Sequence, residues 1–193
     1  MQWQRDLLEP ADLHPQGLDY RPEFLTADEE AALIDAIASL PLSEAKYRGF
    51  TAKRRTVHFG FGYDFSANRL QPAPDLPDFL RPVRAKAARW AALPDDEFVQ
   101  GLVTEYRPGT PIGWHRDVPQ FGVVAGISLG SACRMRFRPY PPSCETSRRG
   151  FTLTLEPRSA YTLKGAIRWE WQHSIPEVSG LRWSITFRTM RRR

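Results

Sequence analysis

The chain has 193 residues, 41% of them hydrophobic and 25% charged, which is the length and composition of one ordinary globular domain. No apolar run is long enough to cross a membrane, and the first residues, MQWQRDLLEPADLH, lack the basic and then apolar order of a signal peptide. We therefore expect a cytoplasmic protein that does not contact a membrane, and we expect a monomer.

The two cysteines, Cys133 and Cys144, form no CxxC pair and have no histidine beside them. A zinc site would need more ligands, and two isolated thiols suit a reducing compartment. We expect Cys133 to be a small buried side chain and Cys144 to lie in a loop.

The net charge of +5 and the isoelectric point near 9.5 suit a polyanionic partner such as nucleic acid. Basic clusters at 53–55, 148–149 and 191–193 are consistent with such a partner. Most of the basic residues are arginines, however, in a chain also rich in alanine and proline, and a GC-rich genome produces the same bias. The charge alone leaves the partner open.

The chain begins with a polar, proline-containing segment, and we expect residues 1–22 to form an N-terminal arm. Thr26 and Glu29 then make a capping box, and an apolar stripe at helical spacing follows them. Pro41 cannot continue a helix. This pattern predicts a first helix between Thr26 and Pro41.

The next part of the chain predicts short β segments and a second helix. The stretch RRTVHFGFGYDFS has β character, and we expect breaks at Gly60 and Gly62. After a proline-rich stretch, an amphipathic helix is predicted from about residue 82 to Leu93. From Glu97 onward, short alternating strands separated by turn signals predict a sandwich or jelly roll, so the fold class is α+β and mainly β.

The phrase GWHRD places His115 and Asp117 two residues apart, so that on a strand both side chains would point to one face. An imidazole and a carboxylate supply two ligands of a 2-His-1-carboxylate iron site. Of the remaining histidines, His14 lies in the arm and His58 before the β core, which makes His173, in a late strand, the natural third ligand. A histidine near an aspartate is also common in ordinary packed pairs.

The last strand, RWSITFR, alternates polar and apolar residues from Arg182 to Arg188. One interpretation is an ordinary antiparallel strand with one solvated face. The other is that the polar face points into a cavity, where an arginine binds a carboxylate through its two-pronged guanidinium.

Taken in order, HxD, a distant His and Arg-x5-Arg within RWSITFR resemble the AlkB family of Fe(II)- and 2-oxoglutarate-dependent dioxygenases. The resemblance includes TEYRPGTPIGWHRD and GISLGSACRMRF and covers about residues 98–190. It implies a double-stranded β-helix core at 97–193, supported by helices and a substrate-covering lid at 23–96.

The resemblance also implies roles for single residues. His115, Asp117 and His173 would bind Fe(II), and Arg188, counted with the catalytic residues, would line the site near both the co-substrate and these ligands. Arg182 would pair with the distal carboxylate of 2-oxoglutarate, assisted by the hydroxyl of Tyr106. Thr104 and Ser184 stand where many members carry asparagine, and their hydroxyls can still donate hydrogen bonds to the co-substrate.

The chemistry that the resemblance implies is oxidative demethylation of alkylated DNA or RNA bases, with 2-oxoglutarate and O2 consumed and succinate, CO2 and formaldehyde released. A base must leave its stack to reach such a site. The expected contacts are Arg54 and Arg55 to phosphates and Phe61, Tyr63 and Trp171 to the base. Alternatively, Phe59, Phe61, Tyr63 and Phe65 form the core face of a strand pair, and Trp114 packs.

Three other functions stay open. The RxSxTFR wording and the SLGS stretch look more like AlkB relatives that oxidise modified RNA, including tRNA. The same site could act on a protein or a lipid. A non-catalytic binding module is a further alternative, although such a module has no need of three ligands and two arginines.

Overall fold

The computed structural model describes residues 15–47, 50–64, 67–143 and 149–192. His14, Phe65, Cys144 and Arg148 lie outside these ranges. The described residues form three α-helices, α1 (Ala27–Ala38), α2 (Arg81–Trp90) and α3 (Gly165–Trp169), and a single 3-10 turn, Asp78–Leu80. The strands are β1 (Leu18–Arg21), β2 (Ser43–Tyr47), β3 (Phe50–Phe59), β4 (Phe61–Asp64), β5 (Arg69–Pro72), β6 (Phe98–Tyr106), β7 (Ile112–His115), β8 (Phe121–Gly130), β9 (Cys133–Pro139), β10 (Phe151–Leu155), β11 (Ala160–Leu163), β12 (Trp171–Ile175) and β13 (Arg182–Met190).

Two antiparallel sheets form the body of the protein. The seven-stranded sheet has the order β1-β11-β8-β13-β6-β3-β2, and the four-stranded sheet has the order β10-β9-β12-β7. Apolar side chains from both sheets meet in one cluster, which includes Val124 and Leu163 from the larger sheet and Met135 and Phe137 from the smaller one. The protein therefore has the predicted jelly-roll fold, with an interior between the two sheets.

The larger sheet is buried on both faces, which explains the alternation of β13. Val103, Ile127 and Ile185 are cross-strand neighbours on one face, where they pack in a cluster with residues of α1 and α2. The other face carries Arg182 and Ser184, both at least 94% buried, and it faces the smaller sheet. The polar face of RWSITFR thus points into the interior of the jelly roll and is not an ordinary solvated face.

The helices begin and end largely as their sequence patterns predict. Thr26 caps α1, and its hydroxyl accepts a hydrogen bond from the backbone N–H of Glu29 while the Glu29 carboxylate accepts one from the backbone N–H of Thr26. α2 ends at Trp90, three residues before the predicted end at Leu93. No helix in the described ranges is long and apolar enough to cross a membrane.

The N-terminal half contributes strands to the same sheet as the C-terminal half. β1, which falls inside the predicted arm, pairs with β11, and β3 pairs with β6. The glycines of the predicted lid differ in effect: Gly60, with φ of 71°, separates β3 from β4, whereas Gly62 lies within β4 and does not break it. β4 and β5 form a separate two-stranded sheet.

Candidate metal and co-substrate site

His115 and His173 are brought together by the pairing of β7 with β12. The two residues are directly opposite in the register, and their ring centroids are 4.3 Å apart. Between His115 and Ile112 the register shifts, so that three steps along β7 match two along β12. This bulge turns His115 toward the interior, as bulges next to functional sites often do.

Asp117 lies beside the two histidines, but not on the strand that was predicted to carry it. β7 ends at His115, so Asp117 is not on a strand, and the expected shared strand face is wrong. Its Oδ2 nevertheless lies 3.6 Å from Nε2 of His173. Arg168, which is 3% exposed, donates hydrogen bonds to the carbonyl oxygens of Val118, Phe121 and Gly122 and so holds the segment that follows Asp117.

The protonation of the two histidines leaves their nitrogens available as ligands. Nδ1 of His115 is 2.9 Å from the carbonyl oxygen of Gly113, which can only accept, so Nδ1 carries the proton and Nε2 keeps its lone pair. Burial, together with the charge of His115, lowers the pKa of His173 to about 3, and burial also lowers the pKa of His115. Both rings are neutral near neutral pH.

The Asp117 carboxylate is buried and ionised. Nε and Nη2 of Arg188 both donate to its Oδ1, at 2.9 and 2.6 Å. Burial by itself raises the pKa of Asp117, but the charges of Arg188 and of the two histidines more than offset burial and hold that pKa well below its usual range. Arg188 therefore fixes one carboxylate oxygen and leaves the other facing His173.

Two neutral imidazoles and one carboxylate are a donor set that suits a ferrous ion. Two ligands on adjacent positions of such an ion lie roughly 3 Å apart, whereas Oδ2 of Asp117 and Nε2 of His173 are 3.6 Å apart. Accordingly, no three His, Cys, Asp or Glu side chains in the described ranges already converge as they would around an ion. The donors are of the right chemical kind, and the distance between Oδ2 of Asp117 and Nε2 of His173 would need to shorten by a few tenths of an ångström.

Arg182 supplies a second, separate observation. It is 1% exposed, its Nε donates to Oγ of Ser128 at 3.3 Å, and its guanidinium carbon lies 4.9 Å from the centre of the Tyr106 ring. Its Nη1 is buried without a hydrogen-bond partner among the described residues. An unpaired buried guanidinium nitrogen is costly, so this site fits a carboxylate that supplies the missing acceptor.

Hydroxyl groups surround this arginine because of the strand register. Ser184 of β13 is opposite Thr104 of β6 on one side and Ser128 of β8 on the other, and Arg182 is opposite Tyr106. Cross-strand neighbours share one face of a sheet. Four of the five residues predicted for the co-substrate are thus grouped on the interior face of the larger sheet, and Ser128 is an addition to them. The fifth, Arg188, lies farther along β13 and binds Asp117.

Tyr161 of β11 was not predicted and lies in the same interior. A Cβ built on Gly126 would be 2.3 Å from Cζ of Tyr161, so the ring occupies the space that the glycine leaves. Burial raises the pKa of Tyr161, and the charge of Asp117 raises it further while that of Arg182 lowers it, so the phenol is within electrostatic range of both groups. The glycine inside VVAGISLG was the only local signal.

Gln100 and His58 extend the site toward β3, and neither was predicted. Nη1 of Arg188 donates to Oε1 of Gln100 at 2.8 Å, and Nε2 of Gln100 is 3.3 Å from Nδ1 of His58. Burial and the charges of Arg188 and Arg54 lower the pKa of His58 to about 4. Gln100 shares the strand face of Thr104 and Tyr106, so the alternation of β6 could have identified it.

The two predicted phosphate-binding arginines are in different surroundings. Arg54 lies on the strand face of His58, and its charge lowers the pKa of His58 and of His115, which places it near the site. Arg55 points to the opposite face, where it forms a 3.1 Å ion pair with Glu105 and donates to the carbonyl oxygen of Leu42. The structure does not bring Arg55 to the site.

The predicted base-binding aromatics are also divided. Trp171 shares a strand face with His173, as expected, and its ring is 5.6 Å from that of Phe151. Phe61 and Tyr63 lie on the separate β4-β5 hairpin, where the hydroxyl of Tyr63 bonds to Asn68. Their contribution to a substrate site stays a prediction. Phe59 is instead in the apolar core, as the alternative for these aromatics proposed.

Two further side chains of the smaller sheet are now located. Cys133 is 7% exposed and unpaired, and burial raises the pKa of its thiol, as a small buried side chain requires. Trp114 is half-buried on β7, where the guanidinium of Arg138 lies 4.3 Å from its ring centre.

The interior of this jelly roll contains two histidines, an aspartate and a buried arginine that lacks a hydrogen-bond acceptor. This combination is typical of an oxygenase of the 2-oxoglutarate type. The chain belongs to the 2OG-Fe(II) oxygenase superfamily, whose family model matches residues 17–188. The superfamily uses Fe(II), 2-oxoglutarate and O2. Within it, the chain is an AlkB-type dioxygenase, as the motifs predicted.

Several known proteins are similar to the chain. It is 26% identical over 187 residues to "Alkylated DNA repair protein ALKBH8 homolog" of Arabidopsis thaliana, with 86% of the chain and 52% of that protein covered. It is 35% identical over 189 residues to "Uncharacterized protein L905" of Acanthamoeba polyphaga mimivirus, with 90% and 85% covered. The mouse protein "tRNA (carboxymethyluridine(34)-5-O)-methyltransferase ALKBH8" is 26% identical over 171 residues, with 83% of the chain and 24% of that protein covered.

The chain therefore spans about half the length of the Arabidopsis relative and about a quarter of the mouse one. Among solved structures, that of OsALKBH1 superposes with a TM-score of 0.71 and covers 90% of this chain and 96% of that one. The two sequences are 15% identical, so this likeness concerns the fold.

Proposed function

We propose that this protein removes methyl groups oxidatively from alkylated bases of DNA or RNA. The observation that carries the proposal is the buried Arg182, whose Nη1 has no partner among the described residues, in a jelly roll that also buries Asp117 and His173. The basic balance of the chain suits a nucleic-acid substrate.

In this proposal His115, Asp117 and His173 hold Fe(II), which with 2-oxoglutarate and O2 supplies the oxidation of a C–H bond. The side chains of the protein bind and orient the co-substrate. Arg182 pairs with the distal carboxylate of the co-substrate, and the hydroxyls of Tyr106, Thr104 and Ser184 surround that carboxylate. Because these side chains are buried, they exclude water from the co-substrate and strengthen each polar contact.

Arg188 acts by positioning. By donating twice to Oδ1 of Asp117, it keeps that carboxylate ionised and turns its second oxygen toward His173. Gln100 in turn accepts from Nη1 of Arg188, so the guanidinium has one defined orientation. The ring of Tyr161 fills the space over Gly126, and its phenol is within electrostatic range of both Arg182 and Asp117.

A second candidate is oxidation of a modified base in RNA, including tRNA. It is favoured by the similarity to a mouse protein whose name states a tRNA methyltransferase activity. That similarity covers only 24% of the mouse protein, so the methyltransferase activity itself does not transfer to this chain.

The test is mass spectrometry of oligonucleotides that carry 1-methyladenine or 3-methylcytosine, as DNA and as RNA, after incubation with protein, Fe(II), 2-oxoglutarate and O2. Loss of the methyl group with matching succinate formation is the expected result. The DNA to RNA ratio shows which nucleic acid the protein prefers, and action on RNA without action on DNA favours the second candidate. Arg182→Met is the matched variant, expected to lose both products. Intact methyl groups on all four substrates would refute the proposal.

A further inference from the structure

The outer face of the smaller sheet carries a row of arginines. Along β9, Cys133, Met135 and Phe137 point into the interior and are at least 93% buried, whereas Arg134 and Arg136 are exposed and Arg138 is half-buried. The neighbouring outward residues of β10 are the uncharged Thr152 and Thr154, which pair with Arg136 and Arg134. We call Arg134, Arg136, Arg138 and Trp114 the arginine face.

The guanidinium groups of this face are held in place by uncharged partners. Nε of Arg136 donates to Oγ of Ser174 at 3.2 Å, and Nε of Arg138 donates to Oε1 of Gln172 at 3.0 Å. The same two guanidinium carbons lie 5.2 and 4.3 Å from the centre of the Trp114 ring. Nε makes the fixing contact in both cases, so these contacts leave the terminal Nη groups free to donate to a further acceptor.

Among the described residues, the positive charge of the face has no ion-pair partner. None of Arg134, Arg136 and Arg138 forms an ion pair with a residue in the described ranges. By contrast, Arg81 and Arg89 on α2 are paired with Asp78 and Asp95. Arginines that are ordered but unpaired mark a surface built for an anionic partner.

The arginine face is also next to the candidate site. Trp114 precedes His115 on β7, the edge strand of the smaller sheet, so the two rings are on opposite sides of one strand end. Beyond it the exposed Arg116 continues the charge, with its guanidinium 3.8 Å from the centre of the Tyr140 ring. Glu170 is also close to Tyr140, because its backbone carbonyl oxygen accepts a hydrogen bond from the backbone N–H of Tyr140.

We propose that the arginine face binds the phosphate backbone of a single-stranded nucleic acid from which one base enters the site. The inference rests on the proposed function and adds to it a place for the strand. Guanidinium forks match phosphate oxygens. A protein partner would instead require an apolar centre in the interface. Beside this face the exposed large side chain among the described residues is a single tyrosine, Tyr140, which is too little for such a centre.

The test compares two variants that lose the same charge. In Arg136→Gln/Arg138→Gln the face loses two arginines, and in Arg81→Gln/Arg89→Gln α2 loses two. The probe is an unmodified, end-labelled oligonucleotide of about 12 nucleotides, a length within the span of single-strand sites, and the readout is fluorescence anisotropy over a range of salt concentrations.

We expect the face variant to bind about tenfold more weakly at low salt, and the slope of log affinity against log salt to become shallower by about 1.4, because two phosphate contacts are lost at about 0.7 each on a single strand. The α2 variant should bind like the wild type. Equal losses in both variants would mean that only net charge matters and would overturn the inference. Unchanged oligonucleotide binding with lost binding of polyglutamate would overturn it too and assign the face to an acidic protein.

A second measurement separates this inference from the proposed function. A methylated trinucleotide has only two internucleotide phosphates to offer to the arginine face, so we expect the face variant to demethylate it at close to the wild-type rate. For the longer methylated strand its KM should rise with kcat unchanged. If the wild type demethylates neither substrate but the face variant still loses oligonucleotide binding, the proposed function fails and the arginine face remains.

Discussion

Replacing Arg188 by methionine tests the buried ion pair between Arg188 and Asp117. The side chains of Arg188 and Asp117 are 12% and 5% exposed, and the guanidinium makes both of its contacts to the carboxylate through one oxygen. Arg188→Met removes the cation, leaves the carboxylate buried, and deprives Oε1 of Gln100 of its donor.

The expected cost follows from what is left behind. Breaking one partner out of a buried ion pair destabilises a protein by about 3–5 kcal/mol, because the remaining charge is uncompensated. The exposed pair of Arg89 with Asp95, at 63% and 55%, is the control. Arg89→Met should cost less than about 1 kcal/mol.

The assay is urea unfolding of the metal-free protein near neutral pH, for the wild type and both single variants. The double variant Asp117→Asn/Arg188→Met should be less destabilised than the sum of its single changes, because it no longer buries a lone charge. If Arg188→Met unfolds at the wild-type midpoint, the carboxylate is not held by Arg188, and the positioning role assigned to this arginine is wrong.

Three further outcomes are expected. Because the pKa of His173 falls to about 3 in the folded protein from about 6.5 in the unfolded chain, metal-free protein should lose stability as pH falls between these values, and His173→Phe should flatten the pH profile of urea midpoints. Gly126→Ala sets a methyl 2.3 Å from the Tyr161 ring; it should cost about 1–3 kcal/mol in thermal unfolding, and much less in a Tyr161→Val background. Gln100→Leu leaves Nη1 of Arg188 unpaired and should lower the free energy of unfolding in urea by about 1–3 kcal/mol, whereas an unchanged free energy would mean that water replaces the amide.

The parts of the site that could be predicted are those set by local periodicity. Alternation along a strand depends only on neighbouring residues, so Arg182 and Ser184 were assigned to one face before any pairing was known. The motif order likewise identified His115 and His173. Alternation alone does not say whether the polar face of RWSITFR points to solvent or to the interior; the family resemblance predicts the interior.

The remainder depends on contacts between distant segments. Tyr161 belongs to the site because β11 pairs with β8 and faces Gly126, a relation that no short stretch of sequence contains. Asp117 lies beyond the end of its strand, and hydrogen bonds from Arg168 hold the segment that follows it. Arg55 was assigned to phosphates from charge alone, whereas its position on the strand commits it to Glu105.

The candidate site is divided between the two sheets of the jelly roll. His115 and His173 come from the smaller sheet, and Arg182 and Arg188 come from the larger one. A metal and a co-substrate bound there together would act as a cross-link between the layers, and a ligand that binds only the folded protein adds stability that grows with the logarithm of its free concentration relative to its dissociation constant. Loading the site should therefore slow amide hydrogen exchange in β12 and β13 together, although these strands belong to different sheets.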